Sequence, residues 1–188
     1  MQPDTEPDTE PDTEPENDVV RRLVLLRHAK AEPGGQTTDE LRPLALAGRR
    51  QSQRVGVALA EHGLVPDLVL CSTAIRARQT WDLVRGGLGA GEPELLVSEM
   101  LYEAGIAGVL TQIREVPAQV RTVLVVGHEP IMSAVAGGLA GEGSDAAAVA
   151  RLHIGMSTAT FAVLEFTGSW TALDRSAARL VAVVAPVD

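Results

Sequence analysis

From Val19 onward the chain alternates short apolar runs with amphipathic segments, and that alternation leaves few architectures open. Residues 23–26 read as a buried strand. Residues 45–62 follow with Val55 and Leu59 at helical spacing, and Gly63 stands where a helix stop is expected. The pair repeats as a strand at 68–70 and a helix at 75–84, with Ser72 or Thr73 available as its cap. It repeats again as 94–100 and 106–116, the latter closed by Pro117. A fourth unit is 123–126 with 131–139, and Pro130 stands at the first helical position. Residues 158–166 and 179–184 read as two further strands with Gly168-Ser169 as a turn signal, while residues 141–150 are rich in Gly and Ala and carry no pattern. Four strand-then-helix units in a row predict an α/β fold. The expectation is a single three-layer domain over residues 20–188, its mostly parallel sheet of about six strands carrying helices on both faces.

Residues 1–19 differ in kind. Pro-Asp-Thr-Glu occurs three times from Pro3 to Glu14, and Pro15-Glu16 begins a fourth copy. A period of four with proline in every unit and no apolar side chain cannot build a core. This segment is therefore expected to be an extended, disordered acidic tail. The formal net charge of −9 is nearly all tail: residues 1–18 hold eight acids and no base, which leaves 17 acids against 16 bases elsewhere. Such a balance gives no basic stripe for nucleic acid. No apolar run approaches the length of a membrane span, and the acidic start is unlike a secretory or transit peptide. The single cysteine, Cys71, excludes an internal disulfide framework and a structural zinc site built on several thiolates. A reducing, cytoplasmic setting is the simplest expectation.

Ligands of open α/β sheets bind at the carboxyl ends of the strands, so the residues that follow each strand matter most. Arg27 and His28 follow the first, and Ser72 with Arg76 and Arg78 the second. Tyr102 and Glu103 follow the third, and Gly127, His128 and Glu129 the fourth. Parallel strands would bring these groups to one edge, where they suit phosphoryl chemistry. Guanidinium forks match phosphate oxygens and stay charged. A neutral imidazole is a competent nucleophile towards phosphorus, a second can stabilise the equatorial oxygens, and a carboxylic acid can protonate the leaving oxygen. The helix starting near Pro130 would add its amino-terminal dipole. A metal centre on His28 and His128, completed by Glu103 or Glu129, is the chemical alternative. No Gly-Lys-Ser/Thr accompanies the glycines at 137–138 or 141–143, so there is no P-loop. His62 and His153 are expected in surface or packing roles, and Cys71, Trp81 and Met132 in the core. Glu129 is expected at a helix start, and Arg78 on an outer helix face.

Leu26-Arg27-His28-Ala29 resembles the Arg-His signature of the histidine phosphatase, or phosphoglycerate-mutase-like, superfamily. Four more stretches match in order. Residues 39–44 (DELRPL) resemble the D-x-x-R-P-L segment of the SixA-like phosphohistidine phosphatase branch, and residues 72–80 (STAIRARQT) resemble S-x-x-x-R-A-x-Q-T. Residues 101–104 (LYEA) and 126–130 (VGHEP) resemble the remaining blocks. The resemblance spans residues 22–166 and implies a phosphoglycerate-mutase-like fold and a metal-independent phosphatase that needs no cofactor. It implies that His28 is the nucleophile, transiently phosphorylated on its ring, and that Arg27, Arg76 and His128 complete the phosphate pocket. It sets Glu103 near the acid/base carboxylate of larger members and Arg42 in a loop at the pocket mouth. Ala29 and Thr73 depart from the commoner Gly and Pro. The short loop at 32–40 and the Gly-rich stretch 85–93 leave little lid, which favours a phosphorylated protein, such as one bearing phosphohistidine, as substrate. A small phosphate ester, a mutase reaction and a non-catalytic phosphate-binding module are the alternatives.

Overall fold

The protein is described from a computed structural model that covers residues 19–35, 38–89 and 91–185; the acidic repeat lies outside the described residues. Six strands form one sheet: β1 (Val20–Arg27), β2 (Leu68–Ser72), β3 (Glu94–Ser98), β4 (Thr122–Gly127), β5 (Phe161–Thr167) and β6 (Arg179–Val184), in the order β3-β2-β4-β1-β5-β6. The first four are mutually parallel, as the strand–helix repeat requires. β5 runs antiparallel to β1, and β6 antiparallel to β5.

Strand alternation divides the apolar residues between two cores. Leu23, Leu25, Val123 and Val125 pack with Val109 and Ile113 of α4 (Gly105–Arg114), Met132 and Val135 of α5 (Ile131–Leu139) and Leu152 of α6 (Ala146–Ile154). Val24, Leu26, Leu124 and Val126 pack on the other face with Val55 and Leu59 of α1 (Leu46–Glu61) and Trp81 and Val84 of α2 (Ile75–Arg85). Each such side chain, fully buried, contributes roughly 1.5–3 kcal/mol. The central strands are closed on both faces, whereas edge strand β3 leaves Leu95, Leu96 and Val97 exposed. Among the described residues no helix is long and apolar enough to cross a membrane.

Local chemistry moved several boundaries. α6 arises within a stretch that showed no pattern, because Asp145 caps it by accepting from the Ala148 N–H at 2.7 Å. β5 begins at Phe161 rather than at residue 158, since Ala159 adopts a positive φ of 61°. The third strand stops at Ser98, and a single helical turn, α3 (Met100–Glu103), follows it. Pro130 is the cap before α5 rather than its first residue. Neither Ser72 nor Thr73 caps α2, which starts after Ala74. α1 can press on the segment after β1 because residue 48 is glycine: a Cβ there would lie 2.0 Å from the Lys30 carbonyl oxygen.

Candidate active site

The register of the two central strands builds the site. Arg27 of β1 lies opposite Gly127 of β4, so the next residues, His28 and His128, leave the sheet side by side with ring centroids 5.0 Å apart. At Gly127 a Cβ would sit 2.7 Å from Cε of Met132, the end of a flexible side chain that packs beneath it. β2 ends at Ser72, and Arg76 follows in the first turn of α2, buried at 4% exposure. Gln79 and Thr80 lie three and four residues on, hence on the same side of the helix. Thr80 Oγ1 accepts from the Ala29 N–H at 3.0 Å, and Gln79 Oε1 accepts from the Leu44 N–H at 2.7 Å. One helix face thus anchors both the His28 loop and the segment after Arg42.

Hydrogen bonds fix both imidazoles. His28 Nδ1–H donates to the Ala29 carbonyl at 2.8 Å, which leaves Nε2 unprotonated; its lone pair accepts from Arg76 Nε–H at 3.2 Å. Arg76 Nη2 lies 3.3 Å from His128 Nδ1, and a guanidinium can only donate. His128 therefore accepts at Nδ1 and donates through Nε2–H to Ser72 Oγ at 2.8 Å. Both rings are neutral at neutral pH. Burial draws His28 down to about 4; its bond to Ala29 opposes this, and the charges of Arg76, Arg27 and Arg42 reinforce it. Burial, then the neighbouring His28, Arg76 and Arg27, draw His128 to about 3 against the pull of Asp39.

Arg27 donates through Nη1 to the Met156 carbonyl at 2.6 Å, while its buried Nε has no partner among the described residues. The Met156 N–H donates in turn to Glu129 Oε1 at 2.6 Å, and Ser133 N–H to Glu129 Oε2 at 3.1 Å. Glu129 is the expected helix-start carboxylate. Its place on Ser133 N–H means that the end of α5, expected to face an anion, is already capped. Among the described residues no three His, Cys, Asp or Glu side chains gather as a cation site would need.

These groups line one cavity of about 810 Å³, with Arg27, His28, Arg42, Arg76, Glu103 and His128 all on its wall. Glu103 is exposed at the rim. Arg42 reaches the mouth as expected, with Nη1 donating to the Glu32 carbonyl at 2.9 Å and Nη2 paired with Asp39 Oδ1 at 2.6 Å. Asp39 is the residue that sequence reasoning quoted only as part of a motif. Its Oδ2 also accepts from Arg76 Nη2 at 2.8 Å and from the Tyr102 hydroxyl at 3.1 Å. Desolvation pushes this carboxyl up, but Arg42, Arg76 and Tyr102 outweigh it and hold Asp39 below the usual carboxylate range. Ser72 was read as a helix cap and is instead the partner of His128. His62 and His153 are exposed, as is Arg78 on α2, and Cys71 is buried with its thiol pushed up to about 12, by burial first and the Asp82 charge second.

The sequence pattern of the histidine phosphatase superfamily (branch 1) matches residues 23–106. An uncharacterized protein of Mycobacterium tuberculosis is 40% identical over 162 residues, which cover 86% of this chain and 99% of the relative. A structure described as a candidate phosphohistidine phosphatase SixA, from Nakamurella multipartitia, is 36% identical and aligns with a TM-score of 0.78 over 90% of this chain and 98% of its own. The chain belongs to the histidine phosphatase superfamily. A second SixA candidate, from Agrobacterium tumefaciens, is 29% identical with a TM-score of 0.72 over 88% of this chain and 98% of its own. The fold of this member of the superfamily is thus the α/β, phosphoglycerate-mutase-like one that its motifs implied. His128 lies beyond residues 23–106 and joins the other motif residues through the β1–β4 register.

Proposed function

We propose that this histidine phosphatase removes phosphoryl groups through a covalent phosphohistidine on His28, with no metal or cofactor, and that it acts on protein-borne phosphohistidine. One observation carries the reading. His28 Nε2 carries no proton, its ring is held neutral, and its lone pair, which meets only the Arg76 Nε–H that a phosphoryl oxygen can take over, lies on the wall of a cavity shared with Arg27 and Arg76. The SixA candidates and the wide cavity favour a protein-borne substrate over a small enclosed one.

The phosphoryl group enters between the two rings and takes over the Arg76 Nε–H and the orphan Arg27 Nε–H. Its negative charge reverses the field on His128 and draws a proton to Nδ1, which then donates to a phosphoryl oxygen. His28 Nε2 attacks phosphorus in line. The new N–P bond forms as the bond to the leaving group breaks, and the leaving atom keeps the electron pair and takes a proton from solvent or Glu103. Water then attacks phosphorus from the vacated side, the N–P bond returns its pair to Nε2, and inorganic phosphate departs. Two inversions give net retention at phosphorus.

Turnover of a phosphohistidine-bearing phosphotransfer protein and of an aryl phosphate tests both halves. The phosphoprotein is expected to show the higher kcat/KM, and His28→Ala to remove both activities. Wild-type turnover by His28→Ala overturns the mechanism, and equal kcat/KM values overturn the substrate assignment.

A further inference from the structure

Asp39 has no part in the steps above, yet it engages the residue that those steps depend on. A guanidinium presents two flat edges, one formed by Nη1 and Nη2 and the other by Nε and Nη2. In Arg76 the second edge faces the chemistry: Nε is 3.2 Å from His28 Nε2, and Nη2 is 3.3 Å from His128 Nδ1. Asp39 holds the first edge twice over. Its main-chain carbonyl accepts from Nη1 at 2.5 Å, and its Oδ2 accepts from Nη2 at 2.8 Å. The carboxylate is itself fixed from behind, with Oδ1 accepting from Arg42 Nε at 2.8 Å and Oδ2 from the Tyr102 hydroxyl at 3.1 Å. Three segments distant in sequence, residues 39–42, α2 and α3, therefore meet on one carboxylate.

We propose that Asp39 is a positioning residue for phosphoryl transfer: it grips the outer edge of Arg76 so that the inner edge is already aimed at the transferring group, with Arg42 and Tyr102 bracing the grip. The proposal rests on the reading of Arg76 as a phosphoryl ligand. A carboxylate against an anion-binding arginine can also act as a rival for the anion. The geometry favours the grip, because Asp39 occupies the edge turned away from the two histidines. The Arg76 arm has four rotatable bonds, and an unheld guanidinium must find its orientation in each catalytic cycle. The Asp39 side chain is 53% exposed, so no core packing depends on it.

The test is a double-mutant cycle on turnover, with inorganic phosphate binding measured in parallel. Asp39→Ala is expected to lower kcat by roughly 10- to 100-fold while phosphate binds no more tightly than to wild type. Asp39→Asn keeps an acceptor for Nη2 without its charge, so its kcat should fall between Asp39→Ala and wild type. In an Arg76→Lys background, which has no flat edge to aim, Asp39→Ala should cost less than about threefold more. The proposal is overturned if the two substitutions multiply independently, or if Asp39→Ala leaves kcat unchanged. It is also overturned if phosphate binds Asp39→Ala more tightly than wild type, which would make the carboxylate a competitor. None of these readings needs His28 to be the nucleophile. Failure of the phosphohistidine mechanism would show separately, as wild-type turnover by His28→Ala.

Discussion

Two arginines are buried at opposite ends of the sheet, and they do opposite things. Arg21, on β1 near the amino ends of the parallel strands, is 1% exposed; Arg76, at their carboxyl ends, is 4% exposed. Arg21 donates to the carbonyls of Gly168 and Ala118, the latter at 2.8 Å, and so ties the turn after β5 to the approach to β4. Those carbonyls are fixed main-chain acceptors with nothing to replace them. Arg76 meets a carboxylate on one edge and two neutral imidazole nitrogens on the other, and a phosphoryl oxygen can displace the second pair. A buried cation is thus not in itself a site. What makes one is a donor edge aimed at acceptors that can give way. The same contrast separates the orphan Nε atoms of Arg21 and Arg27, of which only the Arg27 side chain lines the cavity.

Exchanging each arginine for methionine should break the comparison most visibly. Arg76→Met is expected to lower kcat/KM by about 10²- to 10³-fold with little loss of stability. Arg21→Met should leave kcat per folded molecule unchanged and cost on the order of 1–3 kcal/mol in urea unfolding, because two carbonyls lose their donor. Steady-state kinetics and denaturation on the same preparations decide it, and equal activity losses would erase the distinction. Ser72→Ala should have a smaller effect, about a tenfold fall in kcat, because His128 Nε2–H loses the acceptor that orients its ring. Ring-nitrogen NMR of His128 should still show the proton on Nε2, since Arg76 continues to donate to Nδ1.

Acid sensitivity between pH 7 and pH 5 should belong to the His28 end; Glu165, paired with Arg22 and Arg179 near the other end, is held below its ordinary 4.5 and gives way only at lower pH. His28 and His128 have folded values of about 4 and about 3, below the unfolded 6.5. Between those limits the unfolded chain binds more protons than the folded one. Stability from these rings is therefore complete above about pH 6.5 and is lost as pH falls towards 3. Urea midpoints should drop from pH 7 to pH 5, and His28→Asn combined with His128→Asn should flatten that drop. The acid limb of kcat/KM should lie near pH 4; a limb near 6.5 would mean rings that are not desolvated. The smallest effect expected is from deleting residues 1–18, which join the chain at the Arg21 end. Turnover should change by less than about twofold.

The residues that carry the site were legible in proportion to how local their signal is. Arg27, His28 and His128 each end or follow an apolar run, and Arg76 sits one turn into a helix, so strand ends alone pointed to them. Gln79 and Thr80 were visible as a motif, but their partners Leu44 and Ala29 lie 35 and 51 residues away. Asp39 was hidden for the same reason: it opens a single 3-10 turn (Asp39–Leu41) in a polar stretch, and its partners Arg76 and Tyr102 are 37 and 63 residues distant. α6 escaped notice because Gly141 and Gly143 precede it and its buried face is only Ala148 and Leu152. The antiparallel course of β5 and β6 was not legible because two helices, α5 and α6, lie between β4 and β5, and the second of them went unseen.

The central claim is that His28 Nε2 becomes covalently phosphorylated. Mixing the protein with an aryl phosphate, quenching in alkali and locating the added mass by peptide mass spectrometry tests it directly. The account predicts phosphate on His28, absent from His28→Ala and retained at a lower level in Asp39→Ala. Product release with no adduct on His28 at any time point would contradict it.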